Sequence, residues 1–311
     1  MYNALSMLKI FWGFALLASG IVANKVILMY VPPTLSVALR MLIAGSILLA
    51  YTLRRNHNLR WSHLKKDIGY LLAAGALTTL IPAILKAYAL KYMLSSKAAF
   101  LGSLDPFVTA LYAYLLWGET LNVQKILGIL IGFAGALMLL MSSAPAEATM
   151  LAWGRLSYPE IAALAAMALG RLGWMVVQKI MRSNRYTASE MSSVSMLFSG
   201  ILALIFSLSF ENVTTVCFSN MTRLFVALLW TAIIGNVVAY TMYTNFLRHY
   251  SSTFISLTGF SVPIFVYFYG WLLLSEPLSI NFIISLSVTL IGVIIFYSAE
   301  IKKPSFLAYK K

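Results

Sequence analysis

The chain has 311 residues, 61% of them hydrophobic and only 10% charged, with a formal net charge of +14. Soluble domains carry about 45–50% apolar and about 25% charged residues, so this composition excludes an ordinary soluble globule and makes lipid the solvent for much of the surface. The basic excess does not read as nucleic-acid binding, because Lys and Arg gather in short loops beside apolar runs, as the positive-inside rule expects.

A membrane span needs about 20 apolar residues. The hydrophobic pattern therefore predicts an all-α membrane protein with ten transmembrane helices. In chain order the spans run Leu8–Tyr30, Thr34–Leu53, Ile68–Tyr88, Ser95–Trp117, Val123–Ser143, Tyr158–Met181, Ala188–Ser209, Leu224–Phe246, Ser252–Leu274 and Ile280–Ser298. Lys9 ahead of the first apolar run resembles a leader, but removing that run would break the repeat described below, so it is read as span one. Pro32-Pro33 separates the first two spans, and the basic stretch Arg54–Asp67 the next two. Residues 1–143 form a first five-helix repeat, 144–157 a linker, 158–300 a second repeat and 301–311 a basic tail. With both termini in the cytoplasm, fifteen Lys and Arg fall on the inner side and four in the outer loops. That bias predicts an integral, multi-pass protein of a bacterial inner membrane, oriented in this way. Five spans is an odd number, so the second repeat is inverted relative to the first.

One segment occurs twice. Tyr88–Leu121 and Asn245–Leu278 align at an offset of 157, so that Ser95 meets Ser252, Pro106 meets Pro263, Tyr112 meets Tyr269 and Glu119 meets Glu276; Gly135 meets Gly292 further on. A duplicated pattern in an apolar chain points to a transporter with its substrate site between two structural repeats. On this reading spans one to four and six to nine wall a central cavity.

The stretch Ala87–Leu139, AYALKYMLSSKAAFLGSLDPFVTALYAYLLWGETLNVQKILGILIGFAGALML, resembles the repeat of the drug/metabolite transporter superfamily, in its EamA-like branch. The marks are a mid-span Pro, an apolar-aromatic run, a Glu just past its end and a glycine-spaced following helix. The second copy, with Pro263, Glu276-Pro277 and Gly292, matches too. The resemblance implies an inverted-repeat basket of ten helices with alternating access. It also implies substrates such as amino acids, nucleoside derivatives including S-adenosylmethionine, or sugar phosphates. Asp105, just before the span-four proline, departs from the pattern.

Ionisable groups inside a membrane are expensive, by at least about 2.5–3.5 kcal/mol each on the insertion scale. Asp105 and Arg171 fall near the middle of spans four and six, while Lys25, Arg40 and Lys86 lie toward the outer ends of spans one, two and three, where snorkelling to the headgroups is the alternative to a functional role. Helical spacing puts Arg171, Trp174 and Gln178 on one face, and Asp105, Thr109 and Tyr112 on another. Thr79, Pro82 and Lys86 share a third face, matched in the second half by Asn236, Tyr240 and Tyr243. These stripes serve either a wet cavity or interhelical hydrogen bonding. Asp105 and Arg171 have few other partners, so they are expected to pair. Pro82, Pro106 and Pro263 are candidate gating joints or static bends. Glu119 and Glu276 read as boundary or inter-helix residues, and Gly128 with Gly132 as a close-packing GxxxG inside the fold or at a homodimer seam.

No metal-ligand spacing joins His57, His63 and His249, and no nucleotide-binding or hydrolase motif occurs. No cofactor or metal is expected, and Cys217, the only cysteine, builds no disulfide. The cations Lys25, Arg40, Lys86 and Arg171 against one acid favour an anionic or zwitterionic metabolite as the partner, with no nucleic acid. A lipid-acting enzyme would need paired acids or a His cluster at membrane depth, and a channel would need charged groups repeated by the symmetry. Neither is seen, since Lys86 aligns with Tyr243 and Asp105 with Val262.

Overall fold

A computed structural model describes residues 4–55, 61–117, 122–140, 151–153, 156–183, 185–212, 216–217, 220–249 and 259–301. Helices α1 (Ala4–Ile27) and α2 (Pro33–Arg55) come first. Then α3 (Trp61–Gly75) runs through a π-helical segment, π1 (Ala76–Leu80), into α4 (Ile81–Tyr92). Helices α5 (Ser95–Gly102), α6 (Asp105–Trp117) and α7 (Val123–Leu140) complete the first half. A minimal antiparallel pair, β1 (Leu151–Trp153) and β2 (Leu156–Ser157), lies in the predicted linker. The second half holds α8 (Tyr158–Arg182), α9 (Ala188–Phe210) and α10 (Met221–Trp230), with π2 (Thr231–Tyr240) leading into α11 (Thr241–His249). It ends with α12 (Val262–Leu274) and α13 (Ile280–Ile301). Among the described residues six helices are long and apolar enough to cross a membrane, and three shorter apolar helices accompany them. The protein is an all-α membrane protein. Glu119 and the Ser252 end of span nine lie outside the described residues.

Local chemistry sets the helix starts. Pro33 opens α2 at a position where its missing N–H costs nothing. Ser157 with Glu160 and Thr187 with Glu190 form capping boxes at α8 and α9. The three candidate gating prolines share a role that the spacing did not suggest. Pro82 sits in the first turn of α4 directly after π1, Pro263 opens α12, and Pro106 follows Asp105 at the start of α6. Each begins a helical segment. Inside a helix a proline ring clashes with the carbonyl four residues back. The wider π turn before Pro82 and the break at Ser103 and Leu104 before Pro106 remove that clash.

The packing is built from pairs. Helix α2 lies along α9, and α7 along α13; α4 packs on α8, and α1 on π2. Exchanging the halves maps these pairs onto one another. Several helix crossings require glycine. An added Cβ on Gly292 would sit 2.5 Å from the Gly132 amide nitrogen, and one on Gly20 would sit 3.0 Å from the Gly235 Cα. The GxxxG therefore joins α7 to α13 within the chain.

One end of the bundle, where α4 stops and α8 starts, is tied by acids reaching across the halves. Glu276 accepts from the Ser95 amide (2.8 Å) and hydroxyl (2.7 Å), capping α5. Glu211 accepts from the Thr34 (2.8 Å) and Leu35 (3.0 Å) amides, capping α2. Lys97 and Glu160, both buried, pair at 2.7 Å and join α5 to α8. At the opposite end Asp67 of α3 accepts from the Tyr186 hydroxyl (2.9 Å) and Arg185 (3.3 Å). Burial, and then Asp67, push the Tyr186 phenol up to about 12, so it stays a donor.

Candidate functional site

Where the two halves meet lies a cavity of about 310 Å³, within the range of about 300–1,000 Å³ that suits small ligands. Its walls come from α1, α2, π1, α4, α5, α6, α8, π2, α11 and α12, with Gly259 just before α12. Among the described residues α9, span seven, contributes nothing to it, which corrects the expected wall of spans one to four and six to nine. The reason is the small-residue stripe of α9. Ser192, Ser195, Ser199 and Gly200 bury it against α2 and π1, away from the centre.

Asp105 does not stand in the middle of one continuous helix. The break before Pro106 places it in the first turn of α6, where the helix dipole favours a carboxylate. Arg171, 1% exposed, comes from the interior of α8 and donates from Nη1 to Asp105 Oδ2 at 2.9 Å. The expected pair is thus formed. Tyr243 of α11 lies within electrostatic reach of Arg171. Asp105 keeps 22% of its side chain exposed, whereas the Arg171 side chain is fully enclosed.

One turn along α8 Trp174 forms the floor. Its ring centroid lies 4.9 Å from Tyr240 and 4.4 Å from Tyr243, and Tyr243 meets Phe14 edge-on at 6.2 Å. The Tyr240 hydroxyl donates to Thr78 at 3.2 Å. Beneath them Leu71, Val177, Met181, Met191 and Leu247 pack as a closed apolar layer. Above the pair stand Arg40, Lys86 and Asn236. Arg40 donates from Nη1 to Asn236 Oδ1 at 3.2 Å. Lys86 is exposed to the cavity, within electrostatic reach of both Asp105 and Arg40.

The structure thus brings together Arg40, Lys86, Asp105, Arg171, Trp174, Asn236, Tyr240 and Tyr243. It leaves out others. The Lys25 ammonium donates to the Leu90 carbonyl (2.5 Å) and to that of Met93, capping the end of α4; the neighbouring Asn24 faces the cavity instead. Gln178 lies two turns beyond Arg171, past the Trp174 floor, and does not line the cavity. Pro82, Pro106 and Pro263 do not line the cavity. Thr109 and Tyr112 bond backbone carbonyls, of Asp105 (2.7 Å) and Ala168 (3.1 Å).

Besides Asn24 and Ser103, the lining residues that the sequence did not reveal include Thr78 and Thr231. The expected face held Thr79, but Thr79 bonds Ser199 at 2.6 Å and Thr78 faces the cavity. The extra residue of π1 rotates the preceding chain by one position. Thr231 stands five residues before Asn236, a π spacing that an α-helical count discards. Among the described residues no group of three His, Cys, Asp or Glu could hold a metal ion.

A model of the EamA-like transporter family matches residues 5–141 and 159–298. An S-adenosylmethionine/S-adenosylhomocysteine transporter of Chlamydia trachomatis is 26% identical over 85% of this chain and 80% of its own. Its counterpart in Chlamydia muridarum is 24% identical over 85% and 82%. A WAT1-related chloroplast protein of Arabidopsis thaliana is 28% identical over 91% and 66%. A solved crystal structure superposes with a TM-score of 0.69 at 18% identity, over 94% of this chain and 98% of the other, which shows a shared fold.

Proposed function

Because the chain belongs to the EamA-like transporter family, we propose that it carries an anionic or zwitterionic metabolite by alternating access, with S-adenosylmethionine and S-adenosylhomocysteine as the first candidates. The observation that carries this is the composition of the cavity: Arg40, Lys86 and Arg171 against the single acid Asp105, above a floor of Trp174, Tyr240 and Tyr243. Such a site suits a charged amino-acid-like tail joined to a flat ring system that stacks on aromatic side chains. The names of the Chlamydia relatives support the same choice.

In this proposal ten spans form two inverted repeats, and both termini face the cytoplasm of a bacterial inner membrane. The capped end of the bundle is then outside. The apolar layer beneath Trp174, with Asp67, Arg185 and Tyr186 below it, seals the inner side. The substrate's charged tail competes for the partners of the Asp105–Arg171 pair, and loosening that pair lets the halves rock.

The test is counterflow. Proteoliposomes preloaded with S-adenosylhomocysteine are expected to accelerate entry of labelled S-adenosylmethionine, since a carrier shows trans-stimulation and a channel does not. Saturable uptake of organic cations alone, with no carboxylate or phosphate compound moved, would overturn the reading.

A further inference from the structure

The basic groups of the spanning bundle are not equivalent. Lys25 is satisfied by carbonyls at the end of α4, Lys97 by Glu160, and Arg171 by Asp105. Arg40 and Lys86 have no carboxylate partner among the described residues. Arg40 uses Nη1 on Asn236, while its Nε is buried with no hydrogen-bond partner among the described residues. Lys86 opens into the cavity with no acceptor in range among the described residues, and Arg40 lines the same cavity within electrostatic reach of it. Two cations that line one cavity are unfavourable together, and both gain when an anion enters between them. Lys86 also lies within electrostatic reach of Asp105, so a site for an anion and a site for a cation stand side by side.

Resting on the proposed transport reading, we infer that Arg40 and Lys86 form the carboxylate half of an α-amino-acid subsite. The substrate's ammonium sits toward Asp105 and its ring lies on the Trp174 floor. The position is set by the fold. Asn236 of π2 orients the Arg40 guanidinium, so the second half of the chain positions a residue of the first. Lys86 stands eight residues past Thr78, which touches the floor through Tyr240; at 1.5 Å per residue that is about 12 Å, room for an adenosyl group below and an amino-acid tail above. A phosphate dianion fits less well, because Asp105 lies beside the anion position.

The test uses the purified full chain in nanodiscs and compares binding of S-adenosylmethionine with that of its decarboxylated counterpart. In the wild type, loss of the carboxylate is expected to weaken binding about 10- to 100-fold. In Lys86→Gln, where no protein partner is lost, and in Arg40→Gln, that ratio should collapse toward one. Trp174→Ala should weaken both ligands in parallel and keep the ratio. Equal binding of the two ligands by the wild type, or an unchanged ratio in both variants, overturns the subsite. If the wild type binds neither adenosyl compound, the proposed substrate fails, and thermal stabilisation by free α-amino acids decides the subsite. Stabilisation that vanishes in Lys86→Gln upholds it. Stabilisation by inorganic phosphate alone, or by nothing, sinks it.

Discussion

Asp105→Asn and Arg171→Gln should destabilise the protein unequally, although they break the same hydrogen bond. Arg171 is fully enclosed, whereas Asp105 is 22% exposed to the cavity, at the start of a helix and within reach of Lys86. Asp105→Asn keeps the shape but leaves a guanidinium in the bundle without its counter-charge. Breaking a buried pair from that side costs about 3–5 kcal/mol. Arg171→Gln leaves a carboxylate that still has the α6 dipole and Lys86, so only the charged hydrogen bond is lost, about 1.5–3 kcal/mol. The double variant removes both charges and should cost less than the sum, with a coupling of about 1–3 kcal/mol. Chemical unfolding of the four proteins in one detergent, followed by tryptophan fluorescence, measures all terms. Equal or reversed single costs, or additivity within about 0.5 kcal/mol, would refute the reasoning.

Gly292→Val should abolish recovery of a monodisperse protein, because its Cβ would lie 2.5 Å from the Gly132 amide nitrogen and 2.7 Å from the Gly128 carbonyl; overpacking typically costs about 1–3 kcal/mol, and backbone cannot give way as a side chain does. Size-exclusion chromatography of a fluorescent fusion reads this directly. Glu276→Ala should lower stability by about 1–2 kcal/mol by uncapping α5, and Glu276→Gln by less, with substrate binding intact in both; an affinity loss larger than the stability loss would give Glu276 another role. Cys217 is exposed and falls in an outer loop of the proposed topology, so an impermeant maleimide should label intact cells, and Cys217→Ser should end the labelling. If labelling needs membrane permeabilisation, the orientation is reversed.

Much of this protein follows from solvent alone. Long apolar runs must be helical in lipid, because every backbone polar group there needs an internal partner, and the described helices overlap the predicted spans, span four being broken at Ser103 and Leu104. The repeat was legible because the same helix contacts are made twice, so the same side chains recur at Pro106 and Pro263 or Gly135 and Gly292. The Asp105–Arg171 pair was legible because charges at membrane depth are few and each needs a partner. What the periodicity could not reach depends on backbone register and on contacts between distant segments. The π turns shift a face by one residue, which exchanged Thr78 for Thr79. A proline reads the same whether it kinks a helix or begins one, so the breaks at Pro106 and Pro82 came only with the fold. Lys25 and Lys86 are indistinguishable by composition. One caps α4 and the other faces the cavity, because the crossing of α1 with α4 decides which carbonyls come within reach. Span seven looked like any other wall helix until its serines met α2. Local pattern reports which residues can leave water; the meeting of two halves far apart in the chain decides which of them face each other.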